Sequence, residues 1–263
     1  ILKMILVKPK KKLGQHFLKD ENIAKKIVSQ LYFDDYSLVL EIGPGMGVLT
    51  KFIPKNKKIY LIEIDKDSIE FLKIHFKNLI KNIIHDDFLK FNLKKFINQN
   101  QIGIVGNFPY NISSQILFKV INHRNNIPFL CGMFQKEVAE RICHNEGSKK
   151  YGIISVIAQA FYETEFLFEV SPKVFSPPPK VKSAVIKLSR RKNFKLKCNE
   201  DLFFKVVKLS FQQRRKKIKN SLKNLHLDIN LIEDTIFDLR PENLNYKDFI
   251  ELTQKIESKN VRI

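Results

Sequence analysis

Glu41-Ile42-Gly43-Pro44-Gly45-Met46-Gly47 stands directly behind the apolar run Ser37-Leu38-Val39-Leu40, and Asn107-Phe108-Pro109-Tyr110 stands behind a second run, Ile102 to Gly106. The first segment reads as a strand-to-helix turn whose glycines let the backbone approach a nucleoside-bearing cofactor without interference from Cβ atoms. The second brings a side-chain amide, a proline carbonyl and an aromatic ring together at a strand end. An amide that accepts from an amino group, beside a ring that stacks on a base, suits an aminopurine or aminopyrimidine. Together the two segments point to methyl transfer onto a base nitrogen.

Glycines 43, 45 and 47 give Gly-x-Gly-x-Gly rather than the Gly-x-Gly-x-x-Gly of dinucleotide-binding turns. With Glu41 two positions ahead, the pattern favours S-adenosylmethionine over NAD; a tight structural turn is the plainer alternative. Glu63 ends the run Lys58-Ile59-Tyr60-Leu61-Ile62 one βαβ step downstream, where a carboxylate can accept from ribose hydroxyls or simply close a strand. In the amino group of an aminopurine or aminopyrimidine the nitrogen lone pair is delocalised into the ring. The Asn107 side-chain carbonyl and the Pro109 backbone carbonyl could accept from that group and favour a more pyramidal, nucleophilic nitrogen. Tyr110 could stack on an extruded base. The competing readings are an amide capping a helix that begins near Ser113, and an aromatic ring packed into the core.

These residues need a scaffold, and the hydrophobic pattern supplies one. Asn22 to Leu31 reads as a helix, followed by strands near 37–42, 58–63, 82–85, 101–106 and 128–134 with helical patterns between them. That alternation implies a parallel sheet covered by helices on both faces. Helix-like Glu137 to Asn145 and Ile153 to Phe161 precede two β-rich runs, Glu165 to Val170 and Ser183 to Ser189, with Pro177-Pro178-Pro179 stiffening the connection between them. From Asp201 onward the pattern is helical. A methyltransferase domain is therefore expected over 1–190 and a small helical domain over 191–263.

The 263 residues suffice for a sizeable core, and 47 Lys and Arg against 27 Asp and Glu leave a formal charge of +20, which suits a polyanion, although a Lys-, Asn- and Ile-rich composition accounts for part of the excess. The basic residues concentrate at Lys8 to Lys12 and at Arg214-Arg215-Lys216-Lys217, with Lys219 and Lys223 beyond. Phe204, Val207, Phe211, Ile218, Leu222 and Leu225 recur at helical intervals, which would set the second cluster on a helix with its charges off the buried stripe. Beside a base-modifying motif, RNA contact through Lys10, Lys11, Lys12, Arg214, Arg215, Lys216 and Lys217 is preferred to a merely solvated face. Cys131, Cys143 and Cys198 are odd in number and lack Cys-x-x-Cys spacing, which argues for a reducing compartment and against zinc; the six histidines show no ligand pairing, so no metal is expected. No apolar stretch reaches a membrane span and nothing resembles a secretory signal. Met4 is a candidate natural start, which would set Ile1 to Lys3 apart from the native chain.

Six segments in order resemble the motifs of the small-subunit ribosomal RNA adenine N6,N6-dimethyltransferase family, over most of the chain. Leu13-Gly14-Gln15-His16-Phe17-Leu18 resembles its cofactor-capping motif, Glu41 to Gly47 its methionine-binding loop and Ile62-Glu63-Ile64-Asp65 its ribose and adenine motif. His85-Asp86-Asp87-Phe88 resembles the loop that holds the adenine amino group of the cofactor, Asn107 to Tyr110 the target-base motif, and Val174 to Val181 the second base-stacking segment. The resemblance implies an α/β fold, that of a class I (Rossmann-like) S-adenosylmethionine-dependent methyltransferase with a small C-terminal helical domain, in which the late β-rich runs form the antiparallel pair closing the sheet. It implies cofactor contacts from Gln15, His16, Leu18, Gly43, Gly45, Glu63, Ile64, Asp87, Phe88 and Asn107. Catalytic roles fall to Asn107, Pro109 and Tyr110, with Phe175 covering the second face of the base. His16 stands where relatives carry Asn and would make cofactor affinity mildly pH dependent if it met the methionine carboxylate. The implied reaction is dimethylation of two adjacent adenosines near the 3′ end of small-subunit rRNA, in an assembling subunit, by a cytoplasmic monomer. The related large-subunit rRNA methyltransferases and a non-catalytic assembly factor of the same fold are the rivals.

Overall fold

The computed structural model describes residues 7–98 and 100–260, with nothing said of the side chains of 259 and 260; the candidate start at Met4 lies outside the described residues. The strands are β1 (Phe17–Leu18), β2 (Leu38–Ile42), β3 (Lys58–Glu63), β4 (Ile83–His85), β5 (Ile102–Asn107), β6 (Phe129–Gln135), β7 (Tyr162–Val170), β8 (Phe175–Ser176) and β9 (Ser183–Arg190). The α-helices are α1 (Glu21–Val28), α2 (Lys66–His75), α3 (Leu93–Ile97), α4 (Ser113–Asn122), α5 (Lys136–Cys143), α6 (Ile153–Phe161), α7 (Glu200–Gln212), α8 (Ile218–Ser221), α9 (Ile229–Ile232) and α10 (Tyr246–Asn260).

Seven strands form one sheet in the order β4-β3-β2-β5-β6-β9-β7. β2 is buried along its whole length, and β5 everywhere but its last residue. Such unbroken apolar runs suit central parallel strands covered on both faces. β2 pairs in parallel with β3 and β5, β5 with β6, and β3 with β4; β9 returns antiparallel to β6, with Met133 opposite Val185. The chain runs outward from β2 through β3 to β4 and then crosses to β5 on the other side of β2. The carboxyl ends of β2 and β5 therefore flank the point where strand order reverses, the usual ligand crevice of such sheets. Both chemical segments emerge there.

The chain divides into two compact units, one made of residues up to Ala139 with Glu165–Arg190, the other of Glu140–Thr164 with the chain from Arg191 on. The second unit thus recruits α6 in addition to the C-terminal helices. In it α7 turns Phe203, Val206 and Val207 inward, all fully buried, whereas Phe204 is half-buried. Val207, Ile218 and Leu222 of the expected stripe are buried, whereas in α7 burial falls on Phe203 and Val206 in place of Phe204 and Phe211. The helix also stops at Gln212 instead of carrying the basic cluster, because four consecutive cations offer no apolar face and repel one another along a helix.

Two local devices hold the crevice in shape. Gly43, Gly45 and Gly47 all have positive φ, at 66°, 55° and 75°. A Cβ on Gly45 would come within 2.9 Å of the Phe17 ring, so the turn requires glycine for conformation and for space. Instead of a full α-helix, a 3-10 turn, Thr50–Phe52, follows. Phe108 is 1% exposed because its ring lies on Gly106 and Gly132, where a Cβ would meet it at 2.6 and 2.3 Å. That buried anchor fixes the start of the Asn107 to Tyr110 segment.

Candidate active site

The crevice encloses about 1030 Å³, its open mouth included, and is lined by the segments Lys12–Phe17, Asp86–Leu89 and Asn107–Ile112 together with Gly43, Gly45, Glu63 and Ile64. A smaller adjoining cavity is lined by Leu18, Glu41, Gly43, Gly45 and Asn107. Gln15, His16, Gly43, Gly45, Glu63, Ile64, Asp87, Phe88, Asn107, Pro109 and Tyr110, expected from the sequence, thus surround one opening, and Leu18 lies beside it.

Glu63, 4% exposed at the end of β3, receives three amides: Oε2 accepts from Gly45 N at 3.0 Å, and Oε1 from Ile64 N and Asp65 N, each at 2.9 Å. Burial pushes its carboxyl up, while the Asp65, Gly45 and Ile64 amides oppose the rise. The residue expected to meet ribose therefore also fastens the glycine turn to β3. Glu41, two positions before Gly43, is 1% exposed and accepts from Thr50 Oγ1 at 2.7 Å.

The N-terminal segment is latched across α2. Gln15 Nε2 donates to Asp65 Oδ2 at 2.9 Å, Gln15 Oε1 accepts from Lys10 N at 2.8 Å, and the Lys10 ammonium pairs with Asp65 and, at 2.8 Å, with Asp67. Burial alone would raise the Asp65 carboxyl, but Gln15, Lys10 and the Asp67 amide hold it below its ordinary value. Lys10, expected at the RNA surface, is thus paired with two carboxylates while its side chain stays 32% exposed, and Gln15 spends its amide on the same latch.

The loop after β4 has its own clamp. Lys119 on α4 donates to the carbonyls of Phe88, Leu89 and Phe91 at 2.6, 2.9 and 2.6 Å, and its ammonium lies 5.1 Å from the Phe88 ring centre. Asp87 accepts from Leu89 N through Oδ1 at 2.9 Å. Phe88 is buried and Ile64 is 45% exposed, and both line the cleft with Asp87.

At the end of β5 the Asn107 Nδ2 donates to the His16 carbonyl at 2.9 Å. That bond orients the amide and leaves Oδ1 as the acceptor; the cap position of α4 is Ile112, so Asn107 does not cap that helix. Tyr110 hydrogen-bonds Ser183 Oγ, and burial raises its phenol. Its ring is stacked with His16, centroids 5.5 Å apart and planes at 28°. Phe175 is placed differently from expectation. It is 1% exposed and packs in the core around the β1–β8 pair, opposite Leu18, so it does not cover the cleft side of Tyr110. The imidazole of His16 is the ring that lies against Tyr110.

In the second unit Arg214 donates to Glu242 at 2.7 Å and to the carbonyls of Lys149 and Ser148 at 2.6 and 2.9 Å. Lys217 and Lys219 share Asp238 at 3.0 and 2.7 Å. Arg214 is therefore held within its unit, whereas Lys217 is exposed in its pair with Asp238, and Arg215 and Lys216 are exposed and make no ion pair among the described residues. Lys11 and Lys12 are exposed beside the cleft in the same condition. No group of three or more His, Cys, Asp and Glu side chains that could hold a metal occurs among the described residues, and none of their helices is long and apolar enough to cross a membrane.

The sequence reading gives no role to Ser183 or Lys119, and names Asp65 only within the Ile62 to Asp65 segment, not as the partner of Lys10 and Gln15. Each acts on a partner remote in the chain, and a lone Ser, Lys or Asp carries no local signal of that.

Residues 7–255 match the family described as ribosomal RNA adenine dimethylase. The chain is 58% identical over 259 residues to the ribosomal RNA small subunit methyltransferase A of Flavobacterium johnsoniae, covering 97% of this chain and 98% of that one. Its fold is similar to that of a dimethyladenosine transferase from Plasmodium falciparum (TM-score 0.80, 27% identity, 93% of this chain and 98% of that one). It is also similar in fold to the 23S rRNA methyltransferase ErmE (TM-score 0.72, 22% identity, 92% of this chain and 99% of that one). Sequence, sheet order and cleft agree, and the chain belongs to the ribosomal RNA adenine dimethylase family.

Proposed function

We propose that this enzyme uses S-adenosylmethionine to dimethylate the N6 amino groups of two adjacent adenosines near the 3′ end of small-subunit rRNA, acting in the cytoplasm as a monomer on an assembling subunit. The single observation that carries the reading is that the positive-φ glycine turn and the Asn107 to Tyr110 segment open into one cleft at the strand-order reversal. The cradle suits the cofactor: a Cβ on Gly43 would project into space with no atom within 4 Å, Glu63 and Asp87 offer carboxylates, and Ile64 and Phe88 offer apolar faces. The bound cofactor supplies an electrophilic methyl group on its sulfonium.

The chain's own residues would do the rest by positioning. Asn107 Oδ1, held by the Nδ2 bond to His16, and the Pro109 carbonyl accept from the amino group and aim its lone pair. Tyr110, fixed by Ser183, stacks on the extruded base, a contact worth about 1 to 3 kcal/mol. After one transfer the nitrogen carries a single hydrogen, so one of the two accepting contacts is given up before the second. The proton that N6 loses with each transfer passes to water at the open mouth of the cleft, so no side chain need act as general base. Labelled methyl transfer to unmethylated small subunits, with nucleoside analysis and mapping, tests the assignment: N6,N6-dimethyladenosine at neighbouring positions near the 3′ end is expected. Methylation of large-subunit rRNA instead, or subunit binding without transfer, would overturn it.

A further inference from the structure

The segment from Lys10 to Leu18 crosses the carboxyl end of β2 as a strap. On one flank Lys10 and Gln15 are bonded to Asp65, just beyond β3; on the other the His16 carbonyl accepts from Asn107 Nδ2, at the end of β5. The sheet runs β3-β2-β5, so the two anchors stand on either side of the glycine turn, and a Cβ on Gly45 would meet the Phe17 ring at 2.9 Å. Lys12 to Phe17 thus wall the cleft. The anchors differ in kind. Next to Asn107 the strap passes into backbone pairing, Phe17 opposite Ser176 and Leu18 opposite Phe175, and His16 Nδ1 donates to the Pro177 carbonyl at 2.8 Å. At Asp65 side chains do the holding. The turn Lys11–Leu13 and Gly14, at φ 64°, fold the chain back so that Lys10 and Gln15 converge on one carboxylate. That carboxylate is fully buried, and a buried charge is kept only where it is paired and hydrogen-bonded, so the strap supplies what Asp65 requires.

We infer that Asp65 is a positioning residue for the S-adenosyl cofactor, holding the strap against the cleft through Lys10 and Gln15; the inference rests on the function proposed above. Asp65 stands two residues past Glu63, whose carboxylate accepts from the Asp65 amide at 2.9 Å, so the strap is fastened to the strand end that would meet the ribose. The latch stands on the β3 flank and the target-base segment on the β5 flank. It therefore governs how firmly the cofactor is held and leaves the transfer step alone. Without Lys10 the strap is free to lift from α2 while the β1–β8 pair retains its other end. Asp65 also caps α2, accepting from Asp67 N at 3.2 Å, so a change at Lys10 tests the latch without removing the cap.

The test is calorimetric binding of S-adenosylhomocysteine to wild type, Lys10→Met, Asp65→Asn and the double variant, with amide hydrogen exchange of the strap followed by mass spectrometry and folding checked by thermal melting. Lys10→Met should weaken binding about three- to fivefold. The double variant should bind no worse than Asp65→Asn alone, because Lys10 acts through that carboxylate. Amides of residues 10–16 should exchange faster in Lys10→Met, while those of α2 keep the wild-type rate. Methyl transfer at saturating cofactor should keep kcat within about twofold. Unchanged affinity in Lys10→Met would overturn the inference even if Asp65→Asn fails to fold, as would losses that add in the double variant, strap amides that exchange at the wild-type rate, or a matching fall in kcat. Failure of wild type itself to bind S-adenosylhomocysteine and to methylate small subunits would overturn the proposed function, and the latch with it.

Discussion

Asn107 lines the cleft, and its Nδ2 holds the His16 carbonyl, so the proposed acceptor and the tie to the N-terminal segment depend on one amide. Replacement by alanine removes the acceptor and frees the N-terminal segment. Asn107→Ala is expected to abolish methyl transfer while calorimetry finds S-adenosylmethionine affinity within a few fold; wild-type-like turnover would refute its role. Glu41 makes a different prediction, about stability. Burial raises its carboxyl to about 8, although the Thr50 hydroxyl and amide oppose the rise. Below the unfolded value, about 4.3, both states are protonated and the contribution of Glu41 is fully present. Between there and about 8 the folded state keeps a proton that the unfolded chain has lost, so stability falls as pH rises, by up to about 1.4 kcal/mol per unit. Glu41→Gln removes this loss. Its melting temperature should exceed that of wild type increasingly from about pH 5 to 8, and parallel melting curves would reject the assignment.

At the scale of elements, the cleft depends on loops tied to rigid strands and helices. The loop after β4 has only short regular structure of its own, so the three carbonyls bound by Lys119 from α4 fix where Asp87 and Phe88 point. Lys119→Met strands those acceptors without removing any group from the cleft. Steady-state kinetics should show KM for S-adenosylmethionine raised roughly tenfold, about 1.4 kcal/mol, with kcat within about twofold. The opposite split would place Lys119 in the transfer step. The glycine turn gives a second case: Gly45→Ala forces a side chain into positive φ and against Phe17 at 2.9 Å. Urea unfolding should show a loss on the order of 1 to 2 kcal/mol from the backbone alone.

Across the whole molecule, the +20 charge is not one uniform surface. Lys10 and Arg214 are part-buried and engaged by carboxylates, so their loss is expected to weaken the fold, whereas the pair of Lys217 with Asp238 is exposed and adds little. Lys11, Lys12, Arg215 and Lys216 are exposed and have no ion pair among the described residues. Joint replacement of Arg215 and Lys216 by alanine should reduce the slope of log affinity for small subunits against log salt by about 1.5, at roughly 0.7 to 0.9 per phosphate contact. Arg214→Ala should instead lower the melting temperature, costing on the order of 1 kcal/mol, with little change in slope. Equal slopes for all the variants would mean that this cluster is only solvated.

Much of this was written locally in the chain. Unbroken apolar runs mark the central strands, three glycines at alternate positions mark a turn that needs positive φ, and Asn107 to Tyr110 marks a strand end that opens into the cleft. Each signal lies within a few residues, where sterics and burial act directly on sequence. The tertiary structure alone decided which cations are spent on carboxylates, that Glu140–Thr164 joins the C-terminal unit, that Phe175 is buried and that His16 meets Tyr110 and Pro177. Those outcomes bring together residues far apart in the chain, and their energies depend on which surfaces meet once the strands have ordered. A Lys beside Asp65 and a Lys beside solvent look alike in a short window. Only the closed fold, with its partners and its burial in place, distinguishes them.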